Sequence, residues 1–152
     1  MARIEVSIEI AAPRAEVFRA CHDLNRRPDW DERVVGAELI TPPPLRRASL
    51  IRIDVGRSGT FRFTWEGEYV SYQMPSSSTV NVIDAAPSSP FKSGTEHWDF
   101  SQTADGTHMT IVWEYEPRGL LSRIGDTLGG RSGTRRAIGR SLHNLKSLVE
   151  TG

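Results

Sequence analysis

Any chemistry in this chain must come from a few polar side chains set among aromatic ones. Glu96 shares strand parity with Trp98 and Phe100, so its carboxylate either points inward or sits at the rim where the strand has barely begun. A buried carboxyl group is pushed toward its neutral form and can give or take a proton. A solvated strand end is the simpler reading, because glutamate is rarely buried without a partner. Tyr115 shares parity with Met109, Ile111 and Trp113, and its hydroxyl needs a partner; it could orient a ligand oxygen or serve as an ordinary core tyrosine. Glu96 and Tyr115 are therefore the candidate catalytic residues. Their chemistry would be proton movement within a bound molecule, which needs a shaped cavity and one or two placed groups, and no cofactor.

Other polar residues read as surface. His97 and Asp99 alternate with Trp98 and form an outer-face pair, and Arg52 and Asp54 point outward if Ile51, Ile53 and Val55 point inward. Glu66 and Glu68 flank Gly67 and read as solvent-facing. The four histidines, at 22, 97, 108 and 143, are scattered and Cys21 is the only cysteine, so neither a metal nor a haem site is expected. Cys21 falls where a first helix should pack and reads as a buried, inert thiol. The glycines from 125 to 133 form no phosphate loop, and no GxSxG elbow is present.

The elements that must position these groups are legible from periodicity. Arg3 to Ile10 alternates cleanly and reads as a half-buried strand; Ala12-Pro13 ends it and starts a helix through Val17, Phe18 and Cys21. Asp23 can cap a second short helix over Leu24 to Pro28, ending near Trp30. Six more strands follow, at Val34–Thr41, Ser49–Val55, Thr60–Tyr72, Thr79–Ala85, Thr95–Thr103 and Thr107–Glu116, separated by segments with turn chemistry. In Thr60–Tyr72 the apolar parity begins as Phe61, Phe63, Trp65 and ends as Val70, Tyr72, so a slip is required; Gly67 marks the expected bulge. Trp98 and Phe100 share a face with Met109, Ile111, Trp113 and Tyr115 across an Asp105-Gly106 turn.

Arg131 to Glu150 reads as one amphipathic helix with Ile138, Leu142, Leu145 and Val149 in its apolar stripe. Its only large partner is the antiparallel sheet, so the fold class is α+β, a long C-terminal helix against a curved seven-stranded sheet with two short helices after strand 1. Leu120, Leu121, Ile124 and Leu128 form a shorter helical stripe before it. Gly129-Gly130 and Gly133 predict a break near 129 to 133, and with it a movable flap.

With 152 residues, one domain over 1–152 is expected. The net charge is zero, which argues against a general nucleic-acid binder. From Pro117 onward, seven Lys and Arg stand against two Asp and Glu, so the C-terminal helix is the basic part. Its arginines at 131, 135, 136 and 140 read as a solvated face. No signal core and no membrane span are apparent, so a cytoplasmic protein without membrane insertion is expected; the oligomeric state is not encoded.

Specific residues then carry a resemblance: Ile8-Glu9-Ile10-Ala11-Ala12-Pro13 with Glu16-Val17-Phe18, Asp23 to Trp30, Gly67 to Pro75, Gly106-Thr107, and Leu142 to Lys146 with Glu150. Together with the element order they resemble the START-like, helix-grip (SRPBCC) superfamily, in its polyketide cyclase/dehydrase and lipid-transport branch. The resemblance implies a single START-like domain whose sheet wraps the C-terminal helix around a deep, mostly apolar cavity, which in relatives holds lipids, sterols, plant hormones or polyketides. Trp30, Phe63, Trp65, Trp98, Phe100, Ile111, Trp113, Tyr115, Ile138 and Leu142 would line it. The preferred expectation is binding of a hydrophobic, lipid-like or polyketide-like small molecule. The alternatives are a cofactor-independent polyketide cyclase, aromatase or dehydratase, and a module that binds a protein partner through the basic helix or a sheet edge.

Overall fold

The structure, a computed structural model, describes residues 1–151. Seven strands, β1 (Ala2–Ile10), β2 (Val34–Leu39), β3 (Leu50–Arg57), β4 (Thr60–Gln73), β5 (Ser77–Ala85), β6 (Phe91–Thr103) and β7 (Gly106–Pro117), form one curled antiparallel sheet in the order β1-β7-β6-β5-β4-β3-β2. Helices α1 (Arg14–His22) and α2 (Arg27–Trp30) follow β1, with a 3-10 turn over Leu24–Arg26 between them. After β7 come α3 (Gly119–Gly125), a π-helical turn (Asp126–Gly130) and α4 (Arg131–Thr151). This is the helix-grip α+β architecture expected.

The local causes are mostly those in the sequence. Pro13 is the N-cap of α1, whose Val17, Phe18, Cys21 and His22 are buried, and the Asp23 carboxylate accepts the Asn25 backbone N–H at 3.2 Å. The slip in β4 does not fall at Gly67. Phe63, Trp65 and Tyr69 all face the core, and the extra residue is Val70, which is exposed while Tyr72 returns to the core. A register break does occur at Gly67, but there the extra residue, Ile83, lies on β5. Gly67 has a different role: a Cβ there would stand 2.7 Å from the Trp65 ring and from Val80, so glycine is what lets the indole lie across the strand. Phe61, expected inward, is exposed near the β3–β4 turn.

α4 packs chiefly on β1, with α1 and α2 also against it, and buries Ile138, Leu142 and Leu145. Its C-terminal half is fastened by polar contacts as well. The Ala11 backbone N–H donates to Glu150 (2.7 Å), Lys146 to the Glu9 carbonyl (2.9 Å) and Asn144 to the Trp30 carbonyl (3.2 Å), while Ser141 Oγ accepts the Glu32 N–H (2.9 Å). The expected break is at Gly129, whose backbone is non-helical at φ 157°, ψ −16°, although the segment on both sides stays helical. Neither α3 nor the π-helical turn buries a residue, leaving Leu120, Leu121 and Leu128 72%, 85% and 81% exposed.

Leu142→Ala should therefore lose about 2–5 kcal/mol of unfolding free energy, while Leu121→Ala should stay within about 0.5 kcal/mol of wild type. Urea denaturation of both variants checks the contrast between the gripped helix and the free one.

Candidate functional site

The concave face of the sheet is built from alternate residues of neighbouring strands. All the expected lining residues lie in one buried cluster: Trp30, Phe63, Trp65, Trp98, Phe100, Ile111, Trp113, Tyr115, Ile138 and Leu142. Rings meet edge to face, Trp30 on Trp98 at 5.9 Å, Phe63 on Phe91 at 5.6 Å and Phe91 on Trp113 at 5.2 Å, while Trp113 and Tyr115 stack at 5.5 Å. The deep cavity implied by the resemblance is not open. The rings pack on one another, and a small, largely closed cavity of about 10 Å³ among them is bordered by Arg27, Ile51, Trp65, Tyr69, Ser78, Val80, Glu96 and Trp98. Of the expected lining residues, only Trp65 and Trp98 touch it, together with the candidate catalytic Glu96.

Glu96 corrects the simpler sequence reading, because it is 7% exposed rather than a solvated strand end. Its burial is compensated. Oε2 accepts from Arg33 Nη1 at 3.0 Å, and Oε1 accepts the Trp98 indole N–H at 2.7 Å and lies 3.5 Å from Arg27 Nη2. Arg33 also forks onto Asp31, Nε to Oδ1 at 3.1 Å and Nη2 to Oδ2 at 3.0 Å, and Arg27 Nε donates to Asp31 Oδ2 at 2.8 Å. The Arg27 guanidinium lies over the rings of Trp98 (4.7 Å) and Trp30 (5.3 Å). Two cations and two anions thus form one nearly dry network. Burial works against the charge on Asp31, but the guanidiniums of Arg33 and Arg27 outweigh it and hold the carboxyl well below the usual range.

Tyr115 does not face this network. Gly94, two residues before Glu96, pairs with Tyr115 across β6 and β7, yet the tyrosine hydroxyl donates to Asp126 in the π-helical turn. Arg131 holds the other carboxylate oxygen of Asp126 through Nε (3.0 Å) and Nη2 (2.7 Å). Burial and the bond to Asp126 push the Tyr115 hydroxyl up to about 12, so it remains a donor at neutral pH. The two candidate catalytic residues therefore share no partner. Tyr115 fastens the joint between α3 and α4.

Periodicity missed His22, Ser78, Arg27, Asp31 and Arg33. His22 Nδ1 lies 2.7 Å from the Phe18 carbonyl and Nε2 lies 2.8 Å from Ser78 Oγ on the cavity wall. Burial pushes the imidazole down to about 4, the Phe18 hydrogen bond opposing and the charge of Arg27 adding to the effect. Two signals were present: Arg27 and Asp31 are spaced i,i+4, and Ser78 has the parity of Val80.

The surface readings hold. His97 and Asp99 form an outer pair at 3.5 Å, Arg52 pairs with Glu38, and Asp54 accepts from Thr64 at 2.9 Å. Burial pushes the Cys21 thiol far above its ordinary value, which makes it inert. Among the described residues, no group of three His, Cys, Asp or Glu side chains is placed to hold a metal, and no helix is long and apolar enough to cross a membrane.

Two pH windows follow. His22 is neutral in the fold and has an unfolded value near 6.5, so the unfolded chain binds the extra proton as pH falls from about 6.5 to 4; stability should drop by about 3 kcal/mol across that window and then level off. Asp31 is shifted in the same direction, downward, from a lower starting value, so its window lies at lower pH. Its contribution is present above its unfolded value of about 3.9 and is lost only below that pH. Denaturation of His22→Gln and Asp31→Ala over pH 3 to 8 separates the two. His22→Gln should flatten the upper window, and Asp31→Ala should cost about 3–5 kcal/mol at pH 7 by leaving buried Arg27 and half-buried Arg33 short of an anion.

Comparison with known proteins places this architecture. The chain superposes on TTHA0849 from Thermus thermophilus with a TM-score of 0.80 at 16% identity, covering 99% of this chain and 98% of that one. The ZhuI aromatase/cyclase from Streptomyces sp. R1128 gives 0.78 at 14% identity, covering 98% and 93%. The major latex-like protein 151 of Panax ginseng gives 0.70 at 12%, covering 97% of each. At such identities the likeness is one of fold. No curated protein sequence matches the chain. Residues 1–150, however, match the model of the family described as polyketide cyclase / dehydrase and lipid transport, and the chain belongs to that family.

Proposed function

We propose that the chain binds a hydrophobic small molecule, lipid-like or polyketide-like, between the concave face of the sheet and α4. The observation that carries this reading is the concentration of Trp65, Tyr69 and Trp98 around a largely closed cavity that also presents Arg27, Ser78 and Glu96. Apolar walls with a few placed polar groups are the usual make-up of a ligand site. Membership of a family that includes cyclases and lipid carriers supports it.

A cavity of about 10 Å³ holds one water-sized group and no lipid, so binding requires the interior to open. The arrangement of α3 and α4 favours one place for this. The C-terminal half of α4 is fastened to β1 and to the segment after α2. The other end is held by the Tyr115–Asp126–Arg131 chain beside a non-helical Gly129, and α3 buries nothing. Swinging α3 and the π-helical turn costs a few polar contacts and no core packing. The break expected within 129 to 133 falls at Gly129, in a segment that is otherwise helical.

Burial of Glu96 keeps a second reading in view, a cofactor-independent cyclase or dehydratase of the same class of molecule. In that case Glu96 would act on substrate, and Tyr115, committed to Asp126, would act through the joint. Glu96→Gln would then abolish turnover, whereas unchanged turnover removes this role.

Titration with a fluorescent polycyclic probe tests the binding reading. Saturable, displaceable binding at micromolar protein is expected, and its absence overturns the proposal. Tyr115→Phe should raise the association rate about tenfold, the equivalent of losing ~1.5 kcal/mol of hydrogen bonding to a charged group. Stopped-flow measurement with the same probe gives the rate.

A further inference from the structure

The hydrogen-bond polarity around the cavity names the group it takes. A carbonyl oxygen only accepts, so the His22 Nδ1 atom, 2.7 Å from the Phe18 carbonyl, must carry the hydrogen. The neutral imidazole then has its lone pair on Nε2, and Ser78 must donate to it at 2.8 Å. The serine hydroxyl hydrogen is thus committed. Toward the cavity, which Ser78 borders, its oxygen offers lone pairs alone. Glu96 likewise only accepts there, already taking the Trp98 indole N–H.

Arg27 supplies the opposite polarity. Its Nε is used by Asp31, while its Nη2 stands 3.5 Å from Glu96, and among the described residues neither Nη atom makes a hydrogen bond. Arg27 is 4% exposed as a residue and borders the same cavity. Its Nη groups keep N–H bonds free to donate to an oxygen placed in the cavity. The cavity has space for about one oxygen atom and is bordered by a donor residue, Arg27, and by two acceptor residues, Ser78 and Glu96, so an oxygen that both accepts and donates matches it.

We infer that this cavity is a subsite for a single neutral hydroxyl group, so that the ligand is an apolar molecule ending in a phenol, enol or alcohol. The inference rests on the proposed binding of a hydrophobic molecule and specifies its polar end. Alternatives fail on polarity. A hydrocarbon leaves Arg27 unmet. An aldehyde or ketone oxygen satisfies Arg27 but faces the lone pairs of Ser78 and Glu96. An anion adds unbalanced charge to a network in which Arg27 and Arg33 already match Asp31 and Glu96. Sites built to hydrogen-bond a hydroxyl discriminate strongly against analogues that lack it.

Calorimetric titration at pH 7 with 2-naphthol, 2-methylnaphthalene and 2-naphthaldehyde tests this on the intact protein. 2-Naphthol should bind at least tenfold more tightly than either of the others. Ser78→Ala should narrow the preference of 2-naphthol over 2-methylnaphthalene severalfold, since Glu96 and Arg27 remain, and Ser78→Thr, which keeps the hydroxyl, should restore it. Near-ultraviolet circular dichroism confirms that both variants are folded. Equal affinities for the three probes, or a preference that Ser78→Ala leaves undiminished, overturn the hydroxyl subsite while leaving hydrophobic binding in place. Displaceable binding of none of them overturns both.

Discussion

Three buried charges and the half-buried Arg33 hold the open side of this sheet together. Arg27 and Asp31 belong to the α2 region, Arg33 immediately precedes edge strand β2, and Glu96 lies on β6, four strands away in the sheet order. Contacts of about 3 Å between Arg33 and Glu96 require the sheet to curl until its edge meets its own interior face. Ion pairs this dry add little net stability, since desolvation offsets most of the Coulomb attraction. They do impose a geometry, because a guanidinium fork fits a carboxylate in few orientations. The same network fixes Trp98 through its indole N–H and lays Arg27 across that ring, so the curvature of the sheet and the polarity of the cavity have one cause.

The interior beside this network is closed, and the closing groups are aromatic side chains. Rings packed edge to face make a dense core in which a small displacement exposes a large apolar face. That suits a protein that fills its own interior until a ligand replaces part of the packing. The two ends of α4 differ accordingly. One is tied to β1 and to the α2–β2 connection by several hydrogen bonds, the other by a single carboxylate, Asp126, shared between Tyr115 and Arg131.

What the sequence disclosed and withheld follows from the range of the interactions. Strict alternation placed Phe63, Trp65, Trp98, Phe100, Ile111 and Trp113 on the inward face, since parity is a local property of strands. Parity required a slip in β4, but nothing local marked Val70 as its place, and Tyr69 was missed with it. Burial of Glu96 depends on Arg33, 63 residues away, and Ser78 faces the interior beside a histidine 56 residues distant; no window of local periodicity joins such pairs. The size of the cavity was equally illegible, because it is the small remainder after many rings have packed. The α3 stripe shows the converse error: a helical pattern predicts burial, but Phe63, Phe91, Trp113 and Tyr115 pack on one another and leave its leucines no apolar surface to cover.

The claim that the interior opens at the α3–α4 joint to take an apolar molecule is tested most directly by NMR of the tryptophan indole N–H and backbone amide signals during titration with a neutral polycyclic probe. The account predicts saturable shifts of the Trp98 indole N–H, now bonded to Glu96, and of the amides from Asp126 to Arg131, with the C-terminal half of α4 unmoved. Shifts confined to the outer face of the sheet, or an undisturbed Trp98 signal at saturation, would contradict it.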